Sequence, residues 1–268
     1  MSDLTGQVFI VTGSATGVGA ACVRRLARDG ARVVINYSRS ETAARATEAE
    51  CRALGAETLL IKADVADDAA CRNIVDRALA MWGRIDGLVN NAAITKAAAD
   101  PFDLEQLSVD DFMRVYGINV GGAYQMTRAV APAMKRQGRG AIVNVSSNVV
   151  FTGGGSSLAY TASKGALNAL TLALARVLGP EIRVNAVCPG IVDTRWMRDA
   201  VGEAQFAALK QRFHDNAPMG RIAEAEDVAD AIVWLLCGTS YCTGELLGLD
   251  GGIRLSGGAR RRRPADAG

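Results

Sequence analysis

Short apolar runs alternate with longer amphipathic stretches along the chain. The runs "QVFIVT" (7–12), "RVVINY" (32–37), "TLLIKA" (58–63), "IDGLVNN" (85–91), "AIVNVSS" (141–147), "IRVNAVCP" (182–189) and "ELLGLDG" (245–251) are rich in Val, Ile and Leu and read as strands. Between them, apolar residues recur at helical spacing, which predicts helices near 17–29, 41–54, 67–82, 108–136, 157–178 and 224–237. Strands that are apolar throughout need cover on both faces. The pattern therefore predicts an α/β fold: a single doubly wound domain with a mostly parallel seven-stranded sheet between two layers of helices. No repeat and no linker divides the chain, so one domain is expected over 1–256, followed by a basic tail at 257–268. The stretch 191–220 breaks the alternation, because it is long and carries the exposed-looking apolar residues Trp196, Met197, Phe206 and Phe213. It is either a surface helical hairpin with an ordinary core face or a lid over the carboxyl edge of the sheet, and its length favours the lid.

Composition changes this picture mainly by exclusion. With 268 residues, 49% hydrophobic and 22% charged, the chain can bury a substantial core. The net charge of +2 gives no global reason to expect nucleic acid, and Arg260–Arg263 in the tail read as a solvated flank. The six cysteines (Cys22, Cys51, Cys71, Cys188, Cys237, Cys242) form no CxxC pair and sit in apolar segments, as expected of reduced thiols in a cytoplasmic protein. The start "MSDLTGQVFIVTG" lacks the features of a signal peptide, and no apolar run is long enough to span a bilayer, so a soluble protein without a membrane partner is expected. A single histidine, His214, and no G-x-S-x-G elbow leave a Ser-His-Asp hydrolase without its parts. No His/Cys cluster has metal-ligand spacing, and no metal is expected.

Two stretches carry chemistry. The first strand runs straight into "TGSATGVGA" (12–20) and then a helix. Gly13 suits a tight turn, Gly17 a close backbone approach to phosphate and Gly19 close helix packing, while the free N–H groups and positive dipole end of the helix suit a pyrophosphate. The second stretch, "LAYTASKGALNAL" (158–170), places Tyr160 and Lys164 on one helical face. A tyrosine with a pKa of about 10 is a weak acid at neutrality, and a cation one turn away favours its ionised form. Ser146 and Ser147 end a strand at the carboxyl edge, where ligands bind in open α/β sheets, and strand alternation sends them to opposite faces.

Taken together, "TGSATGVG", "NNAA" (90–93), Asn119 in "YGINV", Ser147, "YTASK" (160–164) and "PGIVDT" (189–194) resemble the short-chain dehydrogenase/reductase family. The resemblance runs from Val8 to about Leu255 and is closest to 3-oxoacyl-carrier-protein reductases and to glucose or short-chain alcohol dehydrogenases. It implies a Rossmann-type fold and hydride transfer between a nicotinamide and a carbonyl or alcohol. In this reading Tyr160 is the acid/base and Ser147, 13 residues earlier, donates to the carbonyl oxygen. Lys164 also contacts the nicotinamide ribose, and Asn119 holds a water in a proton relay. The implied cofactor contacts are Gly13, Ser14, Thr16, Gly17, Val18, Gly19, Tyr37, Ser38, Arg39, Asp64, Val65, Asn91, Ala92, Tyr160, Lys164, Pro189, Gly190, Val192 and Thr194. The family usually has Gly where this chain has Ala93, and a methyl there restricts the backbone beside the cofactor.

The second strand bears on the cofactor form. An NAD-specific Rossmann domain usually places an acid there, about 20 residues past the glycine loop. Here the stretch is "INYSRS", with Tyr37 at the acid's position and no carboxylate until Glu41. Arg39 offers a planar cationic fork for a 2′-phosphate and Ser38 a further donor, so NADP is expected over NAD, although Thr16 replaces the basic residue many NADP-using relatives carry. Lys135, Arg136, Arg139 and Arg176 form a candidate basic footprint for an acidic acyl carrier protein, set against ordinary scattered surface cations. A small ketone, sugar or alcohol is the alternative substrate. Ala162, Ala166, Ala169 and Ala173 make a small-residue strip on helix 157–178 that either packs on the sheet or admits a partner helix. The resemblance implies the partner, through helices 108–136 and 157–178, in a homotetramer. A non-catalytic dinucleotide-sensing protein is the alternative of another class, and only Ala93 speaks for it.

Overall fold

Each predicted strand forms: β1 (Val8–Val11), β2 (Arg32–Tyr37), β3 (Thr58–Lys62), β4 (Gly87–Asn90), β5 (Gly140–Val145), β6 (Ile182–Pro189) and β7 (Leu246–Leu249). The structure, a computed structural model, describes residues 3–98, 100 and 103–255; Arg260–Arg263 and the tail 257–268 lie outside the described residues. The strands make one sheet in the order β3-β2-β1-β4-β5-β6-β7, with every neighbouring pair parallel. The chain starts in mid-sheet, winds out to β3, returns to β4 beside β1 and winds out to β7. The winding direction therefore reverses between β1 and β4, and the carboxyl ends of those strands flank the crevice such a reversal creates.

Strand alternation divides the core in two. Phe9, Val11, Val33, Ile35, Val143 and Val187 face one side, packed against α1 (Gly17–Arg28), α2 (Glu41–Ala53) and a later helix, α10 (Ala225–Val233). Ile10, Val34, Ile61, Leu88, Ile142 and Val184 face the other, against α3 (Asp68–Trp82), α5 (Ala123–Gln137) and α7 (Leu158–Leu178). Both faces are thus sealed, as continuous apolar strands require.

The predicted helix 108–136 is two helices in one rod. Its first part, α4 (Val109–Tyr116), opens on a capping box between Ser108 and Asp111 and joins α5 through a π-helical segment, Gly117–Gly122. Such a widened turn is common at functional sites. A single turn, α6 (Val149–Thr152), follows β5, and Ser157 then caps α7 by accepting from the Tyr160 N–H at 3.2 Å. The stretch 191–220 folds into α8 (Arg195–Val201) and α9 (Glu203–Asn216), ahead of α10 (Ala225–Val233). Phe206 and Phe213, expected to be exposed, are buried with Ala217 and Ile222 in a small core of their own, whereas Trp196 stays exposed. The two helices are too short to bury aromatics otherwise, so they fold onto each other and onto Ile191 and Ile253.

Two polar devices hold the frame. Asn90 donates to Asn144 and Asn144 to Thr171, each at 2.8 Å, tying β4 and β5 to α7 in the dry interior. Arg183 donates to the carbonyls of Leu235 and Leu236 at 2.8 Å and of Cys242 at 3.1 Å, fixing the segment that leads into the edge strand β7. Outside the sheet, Ala162, Ala169 and Ala173 are exposed and Ala166 is half-buried, so the alanine strip faces outward and not onto the sheet. Among the described residues all six cysteines are free, and no helix is long and apolar enough to cross a membrane.

Candidate active site

The glycine loop gets its shape from how closely it is gripped. Gly13 has φ +61°, and a Cβ there would sit 2.9 Å from the Ala92 Cα. A Cβ at Gly19 would lie 2.6 Å from Asn91 Nδ2 and 2.7 Å from the Gly13 carbonyl oxygen. The grip comes from the residues after β4: Asn91 Nδ2 donates to the carbonyls of Thr12 (2.9 Å) and Gly13 (3.0 Å). In return Thr12 Oγ1 accepts from the N–H groups of Asn91 and Ala92, both at 3.0 Å. Thr12 was not among the expected site residues; its place as the last polar residue of a strand was the available signal.

The start of α1 suits an anion. Thr16 occupies the N-cap position yet makes no side-chain cap bond, so no side chain caps the first turn beginning at Gly17 and Val18. A dinucleotide's pyrophosphate fits this glycine-lined turn. Ser14 is fully buried, its hydroxyl donating to the Val11 carbonyl (2.7 Å) and accepting from Asn36 N–H (3.0 Å), so its side chain supports the loop from beneath. Thr194 caps α8 by accepting from Met197 N–H at 3.3 Å, and its methyl faces Gly17. Pro189 closes β6, Gly190 N–H donates to Leu249 O at 3.0 Å, and Val192 bridges to Ala223.

At the ends of β2 and β3 the surroundings are more open. Tyr37 is buried against Ala15 and Ala44, while Ser38 and Arg39 are exposed. Among the described residues no acid pairs with Arg39, whereas Glu41 is taken by Arg45 at 2.7 Å, and that bond holds the Glu41 carboxyl below its ordinary range. Asp64 accepts from Ala66 N–H at 3.0 Å, and the Val65 carbonyl accepts from Gln125 at 2.9 Å.

Ser147, Tyr160, Lys164 and Asn119 converge at the carboxyl end of β5. Ser146 and Ser147 diverge as alternation requires: Ser146 donates to the Lys164 carbonyl at 3.3 Å, and Ser147 lies beside the Tyr160 hydroxyl. Lys164 Nζ donates to the Val145 carbonyl at 2.7 Å and sits 5.5 Å from the centre of the Tyr160 ring. Burial pushes the Tyr160 phenol up to about 12, against the opposing pull of Ser147, and pushes Lys164 down to about 8. The sequence had suggested that the lysine's charge would draw the phenol down. In the fold Lys164 is buried and Tyr160 half-buried, and the loss of hydration disfavours the charged form of each. Asn119, in the π segment, spends its amide on the protein: Oδ1 accepts from Ile94 N–H (2.8 Å), and Nδ2 donates to Ile94 O and Ser163 Oγ, both at 3.0 Å. Trp196 overhangs the site, its ring 6.2 Å from that of Tyr160.

One expectation changes here. No described residue other than glycine has a positive φ, so Ala93 is unstrained and its methyl does not disturb the turn. The candidate carrier footprint lies at the opposite end of β5 from Ser147. Lys135, Arg136 and Arg139 precede β5, roughly 20 Å from Ser147 by strand length. Arg176 is about 24 Å along α7 from Tyr160. His214, exposed on α9, sits 3.4 Å from Asp215.

Known proteins share this architecture. The family model described as enoyl-(acyl carrier protein) reductase matches residues 13–254. A Streptomyces violaceoruber protein described as ketoacyl reductase 2 of the granaticin polyketide synthase is 39% identical over 248 residues, covering 92% of this chain and 96% of its own. The L-rhamnose 1-dehydrogenase (NAD(P)(+)) of a Sphingomonas strain is 36% identical, covering 94% of this chain and 98% of its own. The crystal structure of a Burkholderia xenovorans protein described as a short-chain dehydrogenase/reductase superposes with a TM-score of 0.86 at 39% identity, covering 93% of this chain and 98% of that one. The chain belongs to the short-chain dehydrogenase/reductase family and is an oxidoreductase.

Proposed function

We propose that the protein reduces the carbonyl of a small ketone or sugar-like compound with NADP as its preferred cofactor. The observation that carries this reading is the convergence of Ser147, Tyr160 and Lys164 beside Trp196, next to a glycine loop that leads into a helix start without a side-chain cap. The cofactor, when bound, supplies the hydride. The loop from Gly13 to Gly19 would hold its pyrophosphate, and the unpaired Arg39 with Ser38 its 2′-phosphate. The Ser147 hydroxyl donates to the carbonyl oxygen and orients it. Tyr160, raised to about 12, is fully protonated at neutral pH and gives its proton to the developing alkoxide, which is a stronger base than a tyrosinate. Lys164, near 8, is mostly charged at that pH and stabilises the tyrosinate left behind. Because the Asn119 amide is spent on Ile94 and Ser163, a relay water would have to use that residue's main chain.

Residues 191–220 serve in this reading as a lid, with Trp196 as the aromatic wall over the substrate and 1–256 as one catalytic domain. The outward alanine strip, bordered by exposed Met113, Tyr116, Leu172 and Val177, is the face through which four copies assemble, and the unpaired cysteines suit a reducing cytoplasm. A carrier-linked 3-oxoacyl substrate is the second reading, favoured by the similarity to a ketoacyl reductase. NADPH and NADH oxidation over a panel of ketones, sugars and 3-oxoacyl thioesters tests the proposal. Turnover is expected with NADPH preferred, the preference is lost in Arg39→Ala, and kcat falls roughly 10²-fold or more in Tyr160→Phe. Preference for NADH, or near-normal kcat in Tyr160→Phe, refutes the corresponding assignment.

A further inference from the structure

We propose that Ser163 is a positioning residue: its hydroxyl joins Asn119 to the backbone of Tyr160 and so sets the phenol against Ser147. The inference rests on the reading above, in which Tyr160 moves the proton. Ser163 lies on α7 one turn beyond Tyr160 and is 1% exposed. Its Oγ donates to the Tyr160 carbonyl at 2.7 Å, and because a carbonyl only accepts, the hydroxyl proton is committed to that bond. The oxygen's remaining capacity is to accept, and Asn119 Nδ2 donates to it at 3.0 Å. The other Nδ2 proton goes to Ile94 O at 3.0 Å, while Ile94 N–H donates to Asn119 Oδ1 at 2.8 Å, which fixes the orientation of the amide. Neither the Asn119 amide nor the Ser163 hydroxyl can turn without leaving a buried polar atom unpaired.

The two ends of this bridge matter. Ile94 closely follows Asn91 and Ala92, which grip the glycine loop, and the other end is the turn that carries Tyr160 and Lys164. The bridge therefore couples the cofactor cradle to the proton donor through the π segment. A serine in a helix interior that bonds back to its own helix weakens the helix, so alanine would suit position 163 better if α7 were the only concern.

Ser163→Ala is expected to lower kcat about 10-fold or more with the KM for NADPH held within about twofold, because a small displacement of the donor acts on proton transfer and not on the cradle. It is also expected to displace the pH profile of kcat, and Ser163→Thr, which keeps the hydroxyl, to restore most of the rate. Hydrogen exchange at the Ile94 amide reads the bridge without turnover and is expected to quicken in Ser163→Ala. Unchanged kcat and pH profile in folded Ser163→Ala, or unchanged exchange at Ile94, overturns the proposal. If the alanine variant does not fold, Ser163→Cys keeps the volume, weakens both bonds and is judged by the same two criteria. An unmodified protein that turns over no carbonyl sinks the functional reading, and exchange at Ile94 still decides the bridge.

Discussion

Gly19→Ala adds one methyl where the glycine loop has no room for it. The new Cβ would lie 2.6 Å from Asn91 Nδ2, 2.7 Å from Gly13 O and 2.8 Å from Ser14 Cα. Two of those atoms are backbone, and the third is held by bonds of 2.9 and 3.0 Å to the carbonyls of Thr12 and Gly13, so none is a flexible tip that can swing away. Relief requires α1 to move off the loop by several tenths of an ångström, which strains or breaks the Asn91 clamp. Overpacking of this kind costs about 1–3 kcal/mol. Losing the clamp adds about 1 kcal/mol for each hydrogen bond. Against this, alanine gains about 1 kcal/mol of helix propensity. The net expectation is a loss of about 3 kcal/mol, or roughly 6–12 °C in Tm for a chain of this size. Because the moving part is the start of α1, NADPH affinity is expected to fall about tenfold or more, a loss of at least one hydrogen bond to a charged group. Thermal unfolding without ligand and fluorescence titration with NADPH measure the two effects. Unmodified Tm and affinity in Gly19→Ala would show that the loop is not gripped as described.

Lys164 titrates near 8 in the fold against an ordinary 10.5, so between those values the unfolded chain binds the extra proton and stability rises with pH, by about 3 kcal/mol at most. Urea unfolding followed upward from pH 8 is expected to show that rise, Lys164→Met to lack it, and an equal rise in both proteins would refute the burial of the ammonium. Light scattering at micromolar concentration is expected to give about four times 28.1 kDa, reduced by Ala169→Glu on the exposed strip, and a monomer would exclude the assembly.

The sheet was legible because a parallel strand covered on both faces is apolar at every position, which leaves a run such as "RVVINY" little else to be. The helices were legible in place but not in detail. Nothing in "VYGINVGGAY" distinguishes a π segment from an α-helix, because the difference is one inserted residue in the hydrogen-bond ladder, and local spacing looks the same either way. Phe206 and Phe213 misled for a related reason: a hairpin that buries aromatics against itself carries the same apolar residues as one that leaves them open. Of the site, the residues other than Thr12 were visible and their partners were not. Thr12, Ser14 and Asn91 act through bonds to residues 22 to 80 positions away, and no local pattern records those.

The electrostatics of Tyr160 and Lys164 show the same limit at its sharpest. Spacing of four residues correctly puts them on one face, and from there a cation beside a phenol argues for an acidified tyrosine. That argument assumes water around the pair. Lys164 is 2% exposed and its ammonium is turned to the Val145 carbonyl, 5.5 Å from the ring centre, so the attraction acts at a distance while desolvation acts on each group directly. Burial therefore separates the two, holding the phenol protonated to about 12 and letting the amine discharge above about 8. On the proposed reading this ordering suits reduction near neutral pH, where the donor keeps its proton until an alkoxide develops and the charged lysine is present to stabilise what remains. Above pH 8 the phenol is still loaded but the supporting charge is lost, so kcat for reduction is expected to decline on the alkaline side through Lys164 and not through Tyr160. In the unmodified enzyme, an alkaline limb in kcat set near 8 supports that ordering, and a rate level from pH 7 to 10 contradicts it.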